Sequence, residues 1–345
     1  MKHADFLAQK HFGSLDGLRA FSVIAVIWHH TAPQMFANTP LSWVGSQGVT
    51  LFFAISGFLI TTLLLRERER MGRIDLKAFY WRRTLRIFPL YYAVLLLYIA
   101  LVWLLERKTV VGQEFFNNLK YFASYSSNLF VEIKPRVIFY FSWSLAAEEQ
   151  FYLVWPPLLV LLRRTGAALW FMTTLALVLI VDEMWTGFTL SPIALAIVAG
   201  SLLALCLHIR SGFERLRLLL AWRAAPLLWM LLLGLALSAS SMPSFVIHLL
   251  CVALVGACVV REDHWLAPVL QNSMLSYIGS ISYGIYLLHL LSANLVKNLL
   301  SWAQFPTQGW LAFPLTVGIS ILLAGLSFRF YESKFLRLKQ RHTPQ

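Results

Sequence analysis

Apolar residues in this chain gather in long blocks, and the polar residues lie in short segments between the blocks. A helix needs about 20 mostly apolar residues to cross a bilayer, and ten blocks approach this length. They lie at about 18–37, 43–65, 87–105, 145–162, 167–185, 190–208, 224–240, 244–260, 281–300 and 310–330. The pattern predicts an all-α polytopic membrane protein with about ten transmembrane helices. The stretch 115–130 is too polar to face lipid, and we expect it to form a re-entrant or interfacial helix.

Composition supports a membrane class and excludes three others. The chain of 345 residues is 59% hydrophobic and 13% charged, whereas soluble domains carry roughly 45–50% apolar and about 25% charged residues. A soluble enzyme, a secreted disulfide scaffold and a disordered chain are therefore excluded. Cys206, Cys251 and Cys258 all lie inside apolar blocks, as expected for small buried residues without a disulfide framework.

The basic residues predict an orientation. The chain has 29 Lys and Arg against 16 Asp and Glu, a net charge of +13. With the N-terminus inside, 23 of the basic residues fall in inner segments and 6 in outer ones. This split predicts two cytoplasmic termini in a multi-pass protein of the inner (plasma) membrane. Anionic head groups account for the charge, so we expect contacts with membrane lipids and no nucleic-acid partner.

Three regions follow from these boundaries. We expect a cytoplasmic N-terminal tail at 1–17, a membrane domain at 18–330 and a basic cytoplasmic C-terminal tail at 331–345. The first apolar block follows a polar stretch and shows no obvious cleavage site, which favours a retained anchor over a signal peptide.

Ionisable residues inside membrane segments are costly and mark candidate sites. In the first block, Arg19 and His30 are eleven residues apart, which places them on one helix face about 16 Å apart. His29 points about 100° away from His30, so the two cannot hold one metal from one face, and no metal site is predicted. Alternatively, Arg19 is a membrane anchor and His30 packs against another helix.

Two adjacent carboxylates, Glu148 and Glu149, lie one turn into the fourth block. The predicted orientation places them at the outer end of that span, level with His30. A histidine and a carboxylate at one depth suit a general base and its orienting partner. A structural ion pair or interfacial snorkelling is the alternative.

Three arginines, Arg82, Arg83 and Arg86, begin the third block in the stretch FYWRRTLRIFP, and Arg83 and Arg86 share a helix face. Paired guanidinium groups suit bidentate binding of phosphate, although head-group anchoring is equally compatible. In the ninth block, Tyr286 and His289 are three residues apart and can line one groove, or serve packing alone. Ser56 and Gly57 permit a close helix approach or a ligand-facing kink.

Five blocks in the same order resemble the acyltransferase 3 family of integral membrane proteins. They are LDGLRA…HH, LFFAISGFLITTLLL, FYWRRTLRIFPLYY, SWSLAAEEQFYLVWP and SYGIYLLH, and the resemblance covers about residues 13–335. Two departures occur: Ala146–Ala147 replaces the usual small residue and valine, and the C-terminal block reads YESKF, which makes Glu332 a poor candidate for a shared role.

The resemblance implies transfer of an acyl group, often acetyl, from cytosolic acyl-CoA to a sugar hydroxyl. The acceptor would be a glycan, lipid-linked sugar or lipopolysaccharide of the bacterial cell envelope, and no permanently bound cofactor is expected. Carried over by motif, Arg19, His30 and Glu148 take catalytic roles, while Arg83 and Arg86, with Arg82 beside them, bind the donor, expected to be acetyl-CoA. The substrate-binding candidates are Trp143, Ser144, Tyr286 and His289. Direct transfer and an acyl-histidine intermediate both remain open.

Two other functions compete with acyl transfer. A proton-coupled transporter could use the same buried histidine and glutamate. We expect neither the inverted repeats nor the broken helices that transporters show, which favours the enzyme. A membrane scaffold or polymer-export subunit would not need Arg19 and His30 on one face.

Overall fold

The regular structure in this computed structural model is helical. It describes residues 2–33, 36, 39–132, 134, 136–186, 194–239, 242–307 and 310–340, and none of these forms a strand. The α-helices are α1 His3–Ala8, α2 Gly13–Thr31, α3 Pro40–Met71, α4 Leu76–Leu105, α5 Val110–Ala123, α6 Ser127–Phe130, α7 Trp143–Leu161, α8 Thr165–Thr186, α9 Leu195–His208, α10 Arg210–Leu220, α11 Ala225–Ser238, α12 Ser244–Val260, α13 Ala267–Leu270, α14 Ser273–Ser280, α15 Ser282–Trp302, α16 Ala312–Ser327 and α17 Ser333–Gln340. A 3₁₀ turn at Tyr140–Ser142 precedes α7, and a π turn at Phe328–Glu332 precedes α17. The predicted all-α class is confirmed.

Each of the ten apolar blocks overlaps a helix, but fewer helices are long and apolar enough to cross a membrane. Four described stretches qualify: Gly45–Met71, Leu76–Leu105, Thr165–Trp185 and Ala312–Leu338. The number rises to six if each of two bent helix pairs counts as one span. Helices α11 and α12 are shorter, with 14 and 17 residues, and α2 and α7 carry the ionisable residues singled out above. The count of ten and the cytoplasmic termini therefore stay predictions. Residues 34, 35, 37, 190–193 and 240 of the predicted spans lie outside the described residues.

Two pairs of helices are sharply bent. Helices α9 and α10 meet at 112°, and α14 and α15 meet at 76°. The sequence-based expectation that the chain lacks broken helices is therefore wrong, and this feature no longer separates an enzyme from a transporter.

The described residues form two compact units. The first comprises Met1–Ile74 and Leu162–Gly325, and the second Asp75–Leu161 and Leu326–Gln345. The expected N-terminal tail belongs to the first unit, because α1 buries Phe6, which is 2% exposed. In the expected C-terminal tail, residues 333–340 form α17, and 341–345 lie outside the described residues.

In the first unit, α3 and α9 approach closely through small residues. A Cβ atom at Gly57 would lie 2.0 Å from the carbonyl oxygen of Ile197, so only glycine fits there. Ser201 donates a hydrogen bond of 3.2 Å from its Oγ to the Gly57 carbonyl oxygen. The predicted close approach at Gly57 is confirmed. Cys251 and Cys258 are free and buried in the same unit, as expected.

In the second unit, aromatic residues fix α4 against α5. The Tyr91 hydroxyl donates to the Phe122 carbonyl oxygen at 2.7 Å, and the Tyr91 ring stacks on Tyr125 with centroids 4.2 Å apart. Helix α5 buries Phe115 and Phe122. Within the stretch 115–130, residues 115–123 belong to α5 and residues 127–130 form α6, with a turn at 124–126 between them. The predicted helix is therefore present in two pieces, while its relation to the bilayer stays a prediction.

Candidate active site

Helix α2 carries Arg19 and His30 without interruption. The sequence around them is mostly apolar, so the helix buries one side in the first unit. Arg19 Nη1 lies 3.2 Å from Asp16 Oδ1, one turn earlier. The other carboxylate oxygen of Asp16 lies 3.0 Å from His11 Nε2. Asp16 therefore holds the Arg19 guanidinium at the start of the helix.

His30 lies beside a second histidine from α15. The two ring centroids, of His30 and His289, are 5.1 Å apart. His30 is exposed at the surface of the chain, whereas His289 is fully buried. An exposed imidazole can meet a substrate, and a buried neighbour can hold its position.

The orientation of His289 is fixed by its own helix. Its Nδ1 atom hydrogen-bonds the carbonyl oxygen of Tyr286. Because a carbonyl oxygen only accepts hydrogen bonds, Nδ1 carries the proton, and in the neutral ring Nε2 keeps its lone pair. The Tyr286 ring lies 5.5 Å from that of His289, so the two residues are in contact, while their role in lining a substrate groove stays a prediction.

Helix α3 completes the surroundings of the histidines. A Cβ atom at Gly45 would lie 2.2 Å from Cβ of His29, so the absence of a side chain lets α3 reach the end of α2. The Phe52 ring, two turns further along α3, packs edge to face on Tyr286 at 6.4 Å. The consecutive helices α2 and α3 and the distant α15 therefore meet beside the His30–His289 pair.

In the second unit, Glu148 and Arg83 share a tyrosine. The Tyr152 hydroxyl donates a hydrogen bond to Glu148 Oε1, four residues earlier on α7. The Arg83 guanidinium lies 4.8 Å from the centroid of the Tyr152 ring, a cation–π distance. The aromatic ring thus links the arginine of α4 to the carboxylate of α7.

Glu149 is the more enclosed of the two carboxylates. Its Oε1 atom is buried and has no hydrogen-bond partner within the described residues. Arg83 acts on this carboxylate electrostatically. The sequence placed Arg83 at the inner face and the glutamates at the outer level. The structure instead brings them together, because side chains of α4 reach α7: Arg83 lies over the Tyr152 ring, and the Tyr80 hydroxyl donates a hydrogen bond of 2.8 Å to the Leu153 carbonyl oxygen.

The other two arginines differ from Arg83 in their surroundings. Arg86 is exposed and acts electrostatically on Glu332, whose Oε1 accepts a hydrogen bond of 3.1 Å from Ser327 Oγ. Arg82 is half-buried at the same end of α4.

Two predicted substrate-binding residues begin α7. Ser144 is buried, and its hydroxyl donates to the Phe141 carbonyl oxygen at 3.3 Å, which ties down the start of the helix. Trp143, the first residue of α7, is half-buried. Within the part of the chain that the structure describes, no three His, Cys, Asp or Glu residues are placed to hold a metal ion.

The family model that matches this chain describes an acyltransferase domain and spans residues 12–329. The chain belongs to the acyltransferase 3 family. Every residue assigned to a site above lies within the matched range, which agrees with the resemblance drawn from the five sequence blocks.

Named members of the acyltransferase 3 family are among the similar proteins. The peptidoglycan O-acetyltransferase OatA of Listeria monocytogenes is 28% identical over 96% of this chain and 57% of its own length. A Staphylococcus aureus (strain COL) protein, whose name gives O-acetyltransferase activity as provisional, is 26% identical over 94% of this chain and 57% of its own length. The O-acetyltransferase OatA of S. aureus (strain NCTC 8325) is 34% identical over 43% of this chain and 24% of its own length. No solved structure matches the chain.

Sequence reasoning missed Asp16 and Tyr152 as partners of the family residues. Local spacing could have found both, because Asp16 precedes Arg19 by three residues and Tyr152 follows Glu148 by four. The contact between His30 and His289 had no such signal, since the two residues are 259 positions apart.

Proposed function

We propose that this protein is a membrane O-acyltransferase that moves an acyl group, expected to be acetyl, from cytosolic acyl-CoA to a hydroxyl of a glycan or glycolipid at the outer side of the membrane. One observation carries the proposal. The exposed His30 ring lies against the buried His289 ring, on a helix that also holds Arg19, in a chain of the acyltransferase 3 family. The chain spans 57% of the length of its peptidoglycan O-acetyltransferase relative, whose printed name supports a glycan acceptor.

His30 is the general base of the proposed reaction. It takes the proton from the acceptor hydroxyl while the hydroxyl oxygen bonds to the thioester carbonyl carbon. The carbon–sulfur bond then breaks, and the proton passes to the departing thiolate of coenzyme A. His289 positions the His30 ring through their contact, and Arg19 lies on the same helix as His30.

The donor would bind at the start of α4. A cavity of about 680 Å³ is lined there by Asp75, Lys77, Ala78, Tyr80, Trp81 and Thr84. Lys77 supplies positive charge and Trp81, which is exposed, offers a ring for the adenine base. Arg82, Arg83 and Arg86 follow on the same helix and would bind the phosphates, with Arg86 the most accessible of the three.

The proposed reaction crosses the membrane, so it needs the predicted topology. Cytoplasmic termini and about ten spans place the start of α4 inside and residues 106–140 outside. This arrangement fits a multi-pass protein of the inner membrane, in contact with lipid on its sides. Glu148, which accepts a hydrogen bond from the Tyr152 hydroxyl, would stabilise positively charged groups near the bound donor.

The function is tested on surface glycans and in a purified system. Mass spectrometry of cell-envelope glycans should find O-acetyl esters in cells with the gene and lose them in cells that carry only the His30→Ala variant. The purified protein in nanodiscs should release coenzyme A from acetyl-CoA when envelope glycan is added. The transporter hypothesis would replace the enzyme hypothesis under two results together. The glycans would be identical in both strains, and the purified protein would move glycan or protons without releasing coenzyme A.

A further inference from the structure

Helix α5 presents a polar face that helix packing does not explain. Phe115 and Phe122 are buried on one side, with their rings stacked 5.7 Å apart. A neighbouring face of the helix carries, at i, i+3, i+4 and i+7, the residues Glu114, Asn117, Asn118 and Tyr121, which line a cavity of about 430 Å³. Lys120, Phe130, Glu132, Lys134 and Val137 form the rest of its wall. This volume lies within the range of about 300–1,000 Å³ that small-molecule sites occupy.

The charges around the cavity cancel. Lys134 Nζ lies 2.7 Å from Glu114 Oε1 and 3.5 Å from Glu132 Oε2. The hydrogen bond that Lys134 donates to Glu114 raises the pKa of Lys134. Lys120, which also lines the cavity, supplies the second positive charge. A cavity with two cations and two anions has no net attraction for a phosphate or another anionic ligand.

Aromatic rings form one rim of the same cavity. The rings of Tyr121 and Phe130 stack with centroids 5.2 Å apart, and Phe130 is 61% exposed. Lys120 Nζ lies 4.9 Å from the centroid of the Tyr121 ring. The faces of these rings carry negative charge density that attracts the C–H groups of a sugar ring.

Two amides lie beside the aromatic rim. The side chains of Asn117 and Asn118 face the cavity, and each amide can donate and accept hydrogen bonds. Paired amides, balanced charges and an exposed aromatic face match a ligand that is neutral and rich in hydroxyl groups.

We propose that the cavity lined by α5 together with Phe130, Glu132, Lys134 and Val137 binds a segment of neutral oligosaccharide. The proposal rests on the proposed function for its role, because the bound segment would be part of the glycan acceptor, held by residues that are predicted to lie outside the membrane. Binding itself needs neither acyl-CoA nor His30, and is measured separately from transfer.

The test uses the full chain in nanodiscs and saturation-transfer NMR of the ligand. The neutral probes are tri-N-acetylchitotriose, cellotriose and maltotriose, and the anionic probe is glucose 6-phosphate. At least one neutral trisaccharide should bind, and Asn118→Ala and Tyr121→Ala should each weaken that binding at least tenfold. Gln113→Ala, which removes an amide of α5 that does not line the cavity, should bind like the unchanged protein.

The outcomes separate this site from the chemistry. Tyr121→Phe keeps the aromatic ring and should retain most of the binding. This variant therefore tests the role of the ring even if Tyr121→Ala does not fold. His30→Ala should bind the trisaccharide normally although transfer is lost. If none of the neutral trisaccharides binds, if glucose 6-phosphate binds more tightly, or if Gln113→Ala weakens binding as much as Asn118→Ala, the assignment is overturned.

Discussion

The exposed ring of His30 lies 5.1 Å from the fully buried ring of His289, centroid to centroid. The buried ring is held by the Tyr286 carbonyl oxygen, so it limits the positions that the exposed ring can take. A reactive group in contact with a rigid neighbour is the arrangement expected of a positioned general base.

Replacing His30 should remove the proposed base. A general base contributes roughly 10²–10⁴-fold to rate, so His30→Ala should lower acyl transfer by about that factor while acetyl-CoA affinity and the melting temperature stay unchanged. The matched control is His29→Ala, which removes the neighbouring exposed histidine. Transfer by His30→Ala at the native rate would refute the assignment.

His289 should act on kcat through His30. His289→Ala should lower kcat more than it changes KM for either substrate, because the ring that positions His30 is lost. His289→Asn keeps a donor that can reach the Tyr286 carbonyl oxygen, and should restore part of kcat. Equal losses in the two variants, with a lowered melting temperature, would indicate a packing role alone.

Replacing Arg83 should affect the stability of the fold more than replacing Arg86. Arg83→Ala leaves the carboxylates of Glu148 and Glu149 without their nearby cation, so it should reduce the free energy of unfolding by about 1–3 kcal/mol. Arg83→Lys keeps the charge but not the planar group over Tyr152, so it should restore only part of the lost free energy of unfolding. Both Arg83→Ala and Arg86→Ala should weaken acetyl-CoA binding by about 1.5–3 kcal/mol, but Arg86→Ala should change the free energy of unfolding little. Thermal unfolding and acetyl-CoA titration, measured on all three variants, check these differences.

The hydrogen bonds of Asp263 predict that the stability of the protein depends on pH. Hydrogen bonds from Arg261 and Arg223 lower the pKa of this carboxyl group to about 2. The ionised form is therefore favoured in the folded state, and the stabilisation is complete above the unfolded pKa of about 3.9 and is lost as pH falls toward about 2. Asp263→Asn should lower the melting temperature at pH 7 and show a smaller further decrease between pH 5 and pH 3. A decrease in Asp263→Asn equal to that of the unchanged protein would contradict the role of this group.

Cysteine labelling should reveal the orientation. With cytoplasmic termini, Arg73→Cys should react with a membrane-impermeant maleimide only after the membrane is opened, and Lys108→Cys should react in intact cells. The unchanged protein is the control, because Cys251 and Cys258 are buried and Cys206 is half-buried. The reverse pattern would invert the topology and remove the proposed donor site from the cytoplasm.

The sequence by itself determined the positions of the helices and the residues that share a helix face. The apolar blocks specify where helices form, because the apolar side chains that a helix buries follow one another along the chain in a pattern that the sequence itself displays. Arg19 and His30 could be assigned to one face because the geometry of a single helix fixes their relation. The five blocks likewise sufficed to identify the acyltransferase 3 family.

Only the tertiary structure decided which helices meet. Arg83 and Glu148 were expected at opposite levels, yet both contact Tyr152, because helix length and apolar content do not determine where two helices pack. The bend of 76° between α14 and α15, which precedes His289, also has no local periodic signal. The pairing of His30 with His289 depends on the close approach of separate helices, and that approach is determined by side-chain packing across the whole unit.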